Sequence, residues 1–67
     1  MAVAKVIEIT AASTESFEDA IRQGVSKASE TVRAIQGAWV KEQKVKISDD
    51  GNISEYRVDL MVTFVLD

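Results

Sequence analysis

The chain contains neither cysteine nor histidine among its 67 residues. The first absence excludes disulfides, and the two together remove most of the side chains that build a structural metal site. Catalysis is left with little material. There is no thiol or imidazole, no serine beside a base in a recognisable spacing and no glycine-rich phosphate loop, and the carboxylates are scattered instead of converging. An enzyme is not expected. No apolar run reaches membrane-spanning length, and the opening "MAVAKVIEIT" is interrupted by Lys5 and Glu8, which reads as a strand and not as a secretory leader. A cytoplasmic location with no membrane partner follows as the expectation. Positive charge is also short. Eight Lys and Arg stand against 11 Asp and Glu, a formal net charge of −3, whereas phosphate backbones need a basic surface. No nucleic-acid partner is expected, and Lys41, Lys44 and Lys46 read as a solvated strand edge.

What is present is an ordinary globular composition, 46% hydrophobic and 28% charged, in a length that makes a single domain over residues 1–67. So short a chain buries a limited share of its surface. With disulfides and most metal sites excluded, association with other copies is the remaining support.

The hydrophobic pattern changes period along the chain. Val3 to Ile9 is rich in Val and Ile and breaks at "TAASTES", where Ser13 or Thr14 offers a helix N-cap. Phe17, Ala20, Ile21, Gly24, Val25, Ala28, Val32 and Ile35 then recur three and four apart, the stripe of an amphipathic helix. Glu15, Glu18 and Asp19 near its start and Arg33 near its end suit the helix dipole. About twenty residues give a helix of roughly 30 Å, long enough to cover one face of a small sheet. Gly24 lies within the stripe and predicts close packing there, and Gly37 is placed to end the helix in a left-handed conformation.

From Ala38 to Ile47, Val40 sits on one parity while Trp39, Val45 and Ile47 sit on the other. A bulge, or a strand serving two neighbours, produces such a switch. "SDDGN" is a hairpin signal centred on Asp-Gly. After it Tyr56, Val58, Leu60, Val62, Phe64 and Leu66 alternate without a break, opposite Glu55, Arg57, Asp59, Met61, Thr63 and Val65. The order is β-α-β-β, an α+β fold with a three-stranded, mainly antiparallel sheet on one long helix. The last strand is placed in the middle, and the first two run parallel through a right-handed crossover. One sheet face remains open and carries Met61, Val65 and Trp39, so copies of the subunit are expected to cover each other there.

With these elements in place, "KVIEITAASTESFEDAIRQGVSKASETVRAI" and "EYRVDLMVTFVLD" resemble the dodecins over essentially the whole chain. The resemblance implies small subunits assembled into a hollow homododecamer that binds flavins such as riboflavin or FMN in pairs between subunits, for storage and protection. In flavin-binding members a tryptophan just after the helix stacks on the flavin and a glutamine early in the last strand meets its polar edge. Ungapped matching puts these positions on Gly37 and Arg57. Both flavin residues are therefore replaced, and Trp39, two positions further along the strand, shares a face with Gly37. Dodecin-like proteins that lack the stacking tryptophan include a calcium-binding member, which keeps a structural or cation-binding shell open as the alternative.

The candidate site residues are thus Trp39, Arg57, Gly37 and Gln43, for a small planar ligand, FMN or riboflavin. Each has a plainer reading. Trp39 is a stacking platform or an interface plug, since a buried indole contributes area wherever it sits. Arg57 is a cation beside a phosphate or ring edge, or the partner of Asp59 or a neighbouring carboxylate. Gln43 and Glu42 are polar contacts in the same cleft or solvent-facing strand residues. "DDGN" lacks the alternating oxygens and distal glutamate of an EF-hand loop and reads as a turn. "NIS" at Asn52 matches a glycosylation sequon without a secretory context.

Overall fold

The computed structural model describes residues 3–66, so Met1, Ala2 and Asp67 of the expected domain lie outside the described residues. Strand β1 (Val3–Ser13), helix α1 (Phe17–Ser29), strand β2 (Ile35–Ile47) and strand β3 (Ile53–Leu66) follow in that order. The sheet order is β1-β3-β2, with β3 antiparallel to both neighbours. The strand with the cleanest alternation takes the middle, where both edges are hydrogen-bonded and one face is buried. Val58, Leu60 and Val62 on β3 and Ala20 on α1 form the buried cluster. Ile7, Ile9, Ala11, Phe17, Ile21, Val25, Ile35 and Val40 pack around it.

The helix is shorter than its apolar stripe predicts. It holds 13 residues, about 20 Å at 1.5 Å per residue, beside strands that run roughly 45 Å at about 3.4 Å per residue. Neither Ser13 nor Thr14 is the N-cap. Ser13 is the buried last residue of β1, where its Oγ accepts from the Glu15 amide at 2.9 Å and donates to Asp19 Oδ2 at 2.6 Å. Ser16 caps instead, in extended backbone, its Oγ accepting from the Asp19 amide at 2.9 Å. A cap of this kind contributes about 1 kcal/mol. Ser16→Ala is therefore expected to lower stability by about that amount in a urea melt with an unchanged slope.

At the other end, Ser29 Oγ donates to the Val25 and Ser26 carbonyls and the Val32 amide closes on Ala28 O. The Glu30 and Thr31 amides bond three residues back, to Lys27 O and Ala28 O, which tightens the last turn and ends it, and the β-branched Thr31 and Val32 disfavour continuing it. The left-handed residue is Ala34, with φ of 61°. Gly37, placed at the helix end by the sequence, belongs to β2 opposite Thr63. Ile35 is likewise a strand residue, opposite Phe64, and Val32 and Arg33 lie in the connection. Both hydrophobic residues fit the helical stripe by spacing alone.

Gly24 confirms the close approach. A Cβ there would stand 3.0 Å from Ala11 Cβ and 3.1 Å from Leu60 Cδ1. A branched side chain at this point forces α1 off the sheet, so Gly24→Val is expected to cost about 1–3 kcal/mol, read as a fall in melting temperature.

Candidate functional site

The face of the sheet turned away from α1 is where three of the four sequence-derived site residues, Gly37, Trp39 and Arg57, gather. Its rows follow from the register, because Cα partners in neighbouring strands point to the same side. From the open end they are Val6–Thr63–Gly37, Glu8–Met61–Trp39, Thr10–Asp59–Glu42 and Ala12–Arg57–Lys44. The register slips between Val40 and Glu42, which is the bulge that the parity switch predicted. Its consequence is concrete. Trp39 faces the open side opposite Met61, while Val45, of the same parity, lies opposite Tyr56 on the helix side.

Trp39 is 53% exposed. At its strand neighbour on the same face, Gly37, a Cβ would meet no atom within 4 Å among the described residues beyond its own chain neighbours. The indole therefore borders a gap and not a packed surface. Arg57 shares the face but lies four residues along β3 from Met61, roughly 13 Å, and its Nε donates to Glu55 Oε2 at 2.8 Å. The carboxylate partner is thus Glu55, two residues back on the same strand and face. Gln43 does not join the group. The bulge turns it to the helix side, opposite Val58.

Two features of this face were not singled out from the sequence. Lys41, left without a register partner by the bulge, reaches across β3 to Glu8 at 3.5 Å. Asp59 has a buried carboxylate oxygen, Oδ1, with no hydrogen-bond partner among the described residues, a costly state for such a group. The carboxylates of Glu42 and Asp59 fall in one row only because of the bulge, so strict alternation would have put them on opposite faces.

Among the described residues no group of three or more His, Cys, Asp or Glu is arranged to hold a metal ion. The Asp-Gly hairpin is a hydrogen-bonded turn: Gly51 has φ of 86°, and Asp50 accepts from the Ser48 hydroxyl and from the backbone and side chain of Asn52. The Ser48 bond first, then those from Asn52, hold the Asp50 carboxyl below its ordinary pKa. Those donors occupy the oxygens that an EF-hand reading would assign to calcium. A separate groove of about 470 Å³ lies between α1 and the outer edge of β1, lined by Ile9 to Ala12 and by Gln23, Gly24, Lys27, Ala28 and Thr31. Among the described residues no helix is long and apolar enough to cross a membrane.

A short helix held across one face of a β1-β3-β2 sheet, with the opposite face open and aromatic, defines the class, and comparison with known proteins agrees. The Dodecin family profile matches residues 3–67, and the chain belongs to the dodecin family. It is 39% identical over 64 residues to the calcium dodecin of Mycobacterium tuberculosis, covering 96% of this chain and 89% of that one. An arginine-to-alanine mutant of Thermus thermophilus dodecin superposes with a TM-score of 0.92 at 34% identity, over 100% of this chain and 98% of that one. Dodecin from Streptomyces davaonensis gives 0.92 at 32% identity, covering 98% and 96%. The crystal structure of the M. tuberculosis calcium dodecin gives 0.84 at 37%, covering 97% and 91%.

Proposed function

We propose that this chain assembles with copies of itself into a non-enzymatic dodecin shell, a homododecamer, that holds a flavin such as FMN or riboflavin between subunits for storage or protection. The observation that carries the reading is the half-exposed Trp39 indole beside the gap over Gly37 on an otherwise uncovered sheet face. An aromatic face of this kind stacks on a planar ring. Gly37 leaves room for the ring, and Arg57, some 13 Å away along β3, serves the phosphate or polar edge of a ligand reaching over from a neighbouring copy. Gln43 has no part in this arrangement.

A second reading, a cation-binding shell, is favoured by the unpartnered Asp59 Oδ1 beside Thr10 and Glu42 and by the likeness to a protein named calcium dodecin. Calcium takes oxygen ligands from carboxylates and carbonyls, and ligands from several copies would complete such a site. One melting experiment separates the two. A ligand at a hundred times its Kd stabilises by about 2.7 kcal/mol, which in a domain this small raises the melting temperature by about 10 °C or more. Riboflavin or FMN is expected to give that rise and calcium is not. A rise with calcium alone, abolished in Asp59→Asn, replaces the flavin reading with the cation reading.

A further inference from the structure

We infer that Thr63 is a specificity-determining residue of the ring-stacking site: its hydroxyl reads the polar edge of a ring held on Trp39, which leaves Arg57 to the phosphate. The inference rests on the flavin reading proposed above and names the contact that decides which flat ring is held.

The position of Thr63 follows from the register. It stands in the middle of the row Val6–Thr63–Gly37, one row from Met61 and Trp39. Successive rows on one face lie about 7 Å apart, whereas stacked carbon atoms meet at about 3.5–4 Å. A ring stacked on the Gly37 side of the indole therefore comes down on the Gly37–Thr63 pair. Gly37 brings no side chain to that pair, and a Cβ there would meet no atom within 4 Å among the described residues beyond its own chain neighbours. The side chain that meets the inner edge of the ring is thus Thr63.

The surroundings leave this hydroxyl as the polar group of an apolar patch. On the open face Thr63 has Val6 across from it on β1, and Met61 and Val65 on either side along β3. Glu8, the carboxylate in the Met61 row, is engaged by Lys41 at 3.5 Å. Among the described residues the side-chain hydrogen bonds of β3 run from Ser54 to Lys46 O and from Arg57 to Glu55, and neither involves Thr63. Its hydroxyl is therefore available to a ligand. A threonine hydroxyl both donates and accepts, so it can meet a ring carbonyl or a ring N–H, and the polar edge of a flavin carries both. A ring that covers the half-buried Thr63 also strips water from the hydroxyl, which is costly unless the ring supplies a partner. The same group thus favours a flavin and penalises a flat ring without such an edge. One well-placed polar group among apolar walls is how a small-molecule site fixes orientation.

Affinities are measured by fluorescence quenching on the full chain, with sedimentation and melting recorded for each variant. Thr63→Val keeps the β-branched shape and removes only the hydroxyl. It is expected to weaken riboflavin and FMN by the same factor, about three- to tenfold, with assembly unchanged. Thr63→Ser is expected to recover most of that loss. Acridine, a flat three-ring fluorophore with no carbonyl or N–H, is expected to bind the unaltered protein and Thr63→Val alike, and Arg57→Met is expected to weaken FMN alone. If Thr63→Val does not assemble, Thr63→Ser against Thr63→Ala gives the same test: tighter flavin binding by the serine variant is expected, and equal binding overturns the contact. Flavin affinities that stay within about twofold in Thr63→Val overturn the contact and leave the flavin reading standing. A loss confined to FMN overturns it too, because it puts the hydroxyl at the phosphate, and an equal loss for acridine reduces Thr63 to packing. Unaltered protein that quenches neither flavin overturns the flavin reading itself.

Discussion

Trp39→Ala is expected to weaken FMN binding by ten- to a hundredfold while leaving the fold intact. Stacking on an aromatic side chain is worth about 1–3 kcal/mol, and each 1.4 kcal/mol is a factor of ten in affinity. The fold has little stake in the residue. Trp39 is more than half exposed and lies outside the core cluster. Trp39→Phe keeps a flat ring and is expected to recover most of the lost affinity. The interface-plug reading gives the opposite pattern: flavin binding indifferent to the substitution, and a sedimenting species that becomes smaller. Fluorescence quenching and sedimentation on the same three proteins therefore separate the two roles.

Leu60→Ala is expected to remove most or all of the stability of the subunit. Leu60 is 1% exposed in the middle of the central strand. Its Cδ1 approaches the Gly24 backbone so closely that a Cβ there would stand 3.1 Å away. The surroundings have small residues and little freedom to collapse, so the substitution belongs in the upper part of the 2–5 kcal/mol range for buried leucines. A domain of this length holds only about 3–10 kcal/mol in total. Loss of the cooperative thermal transition in circular dichroism is the expected result. Leu66→Ala, on the same strand and face but 45% exposed, is expected to cost less than 1 kcal/mol, about the size usual for surface positions. Equal effects at the two positions would mean that Leu66 is buried by another copy.

The contrast between those leucines also shows where sequence reasoning carries and where it stops. Alternation from Tyr56 to Leu66 identified the core face of β3 and its central position, because only a strand with two neighbours and one buried face needs so regular a pattern. It could not tell Leu60 from Leu66, since burial depends on where a 13-residue helix happens to end. The helix itself was overextended for the same reason. Val32 and Ile35 keep the helical spacing but serve the connection and β2, and the actual stop depends on amides that bond three residues back and on an alanine in the left-handed region. At the site, the parity switch around Val40 announced a bulge without its position. That one-residue slip decides that Glu42 joins Asp59 on the open face and that Gln43 leaves it. The unpartnered oxygen of Asp59 had no signal in the sequence at all, because a charged residue alternating on an open face looks solvated.

The central claim is that the open sheet face carries a ring-stacking site at Trp39. It is tested most directly by titrating the purified, unaltered protein into FMN and riboflavin and following flavin fluorescence. Stacking on the indole is expected to quench the emission saturably, with a stoichiometry that does not exceed one flavin per subunit. Emission that stays unchanged up to high micromolar protein, in a sample shown by sedimentation to be assembled, would contradict the claim and leave Trp39 as a packing residue.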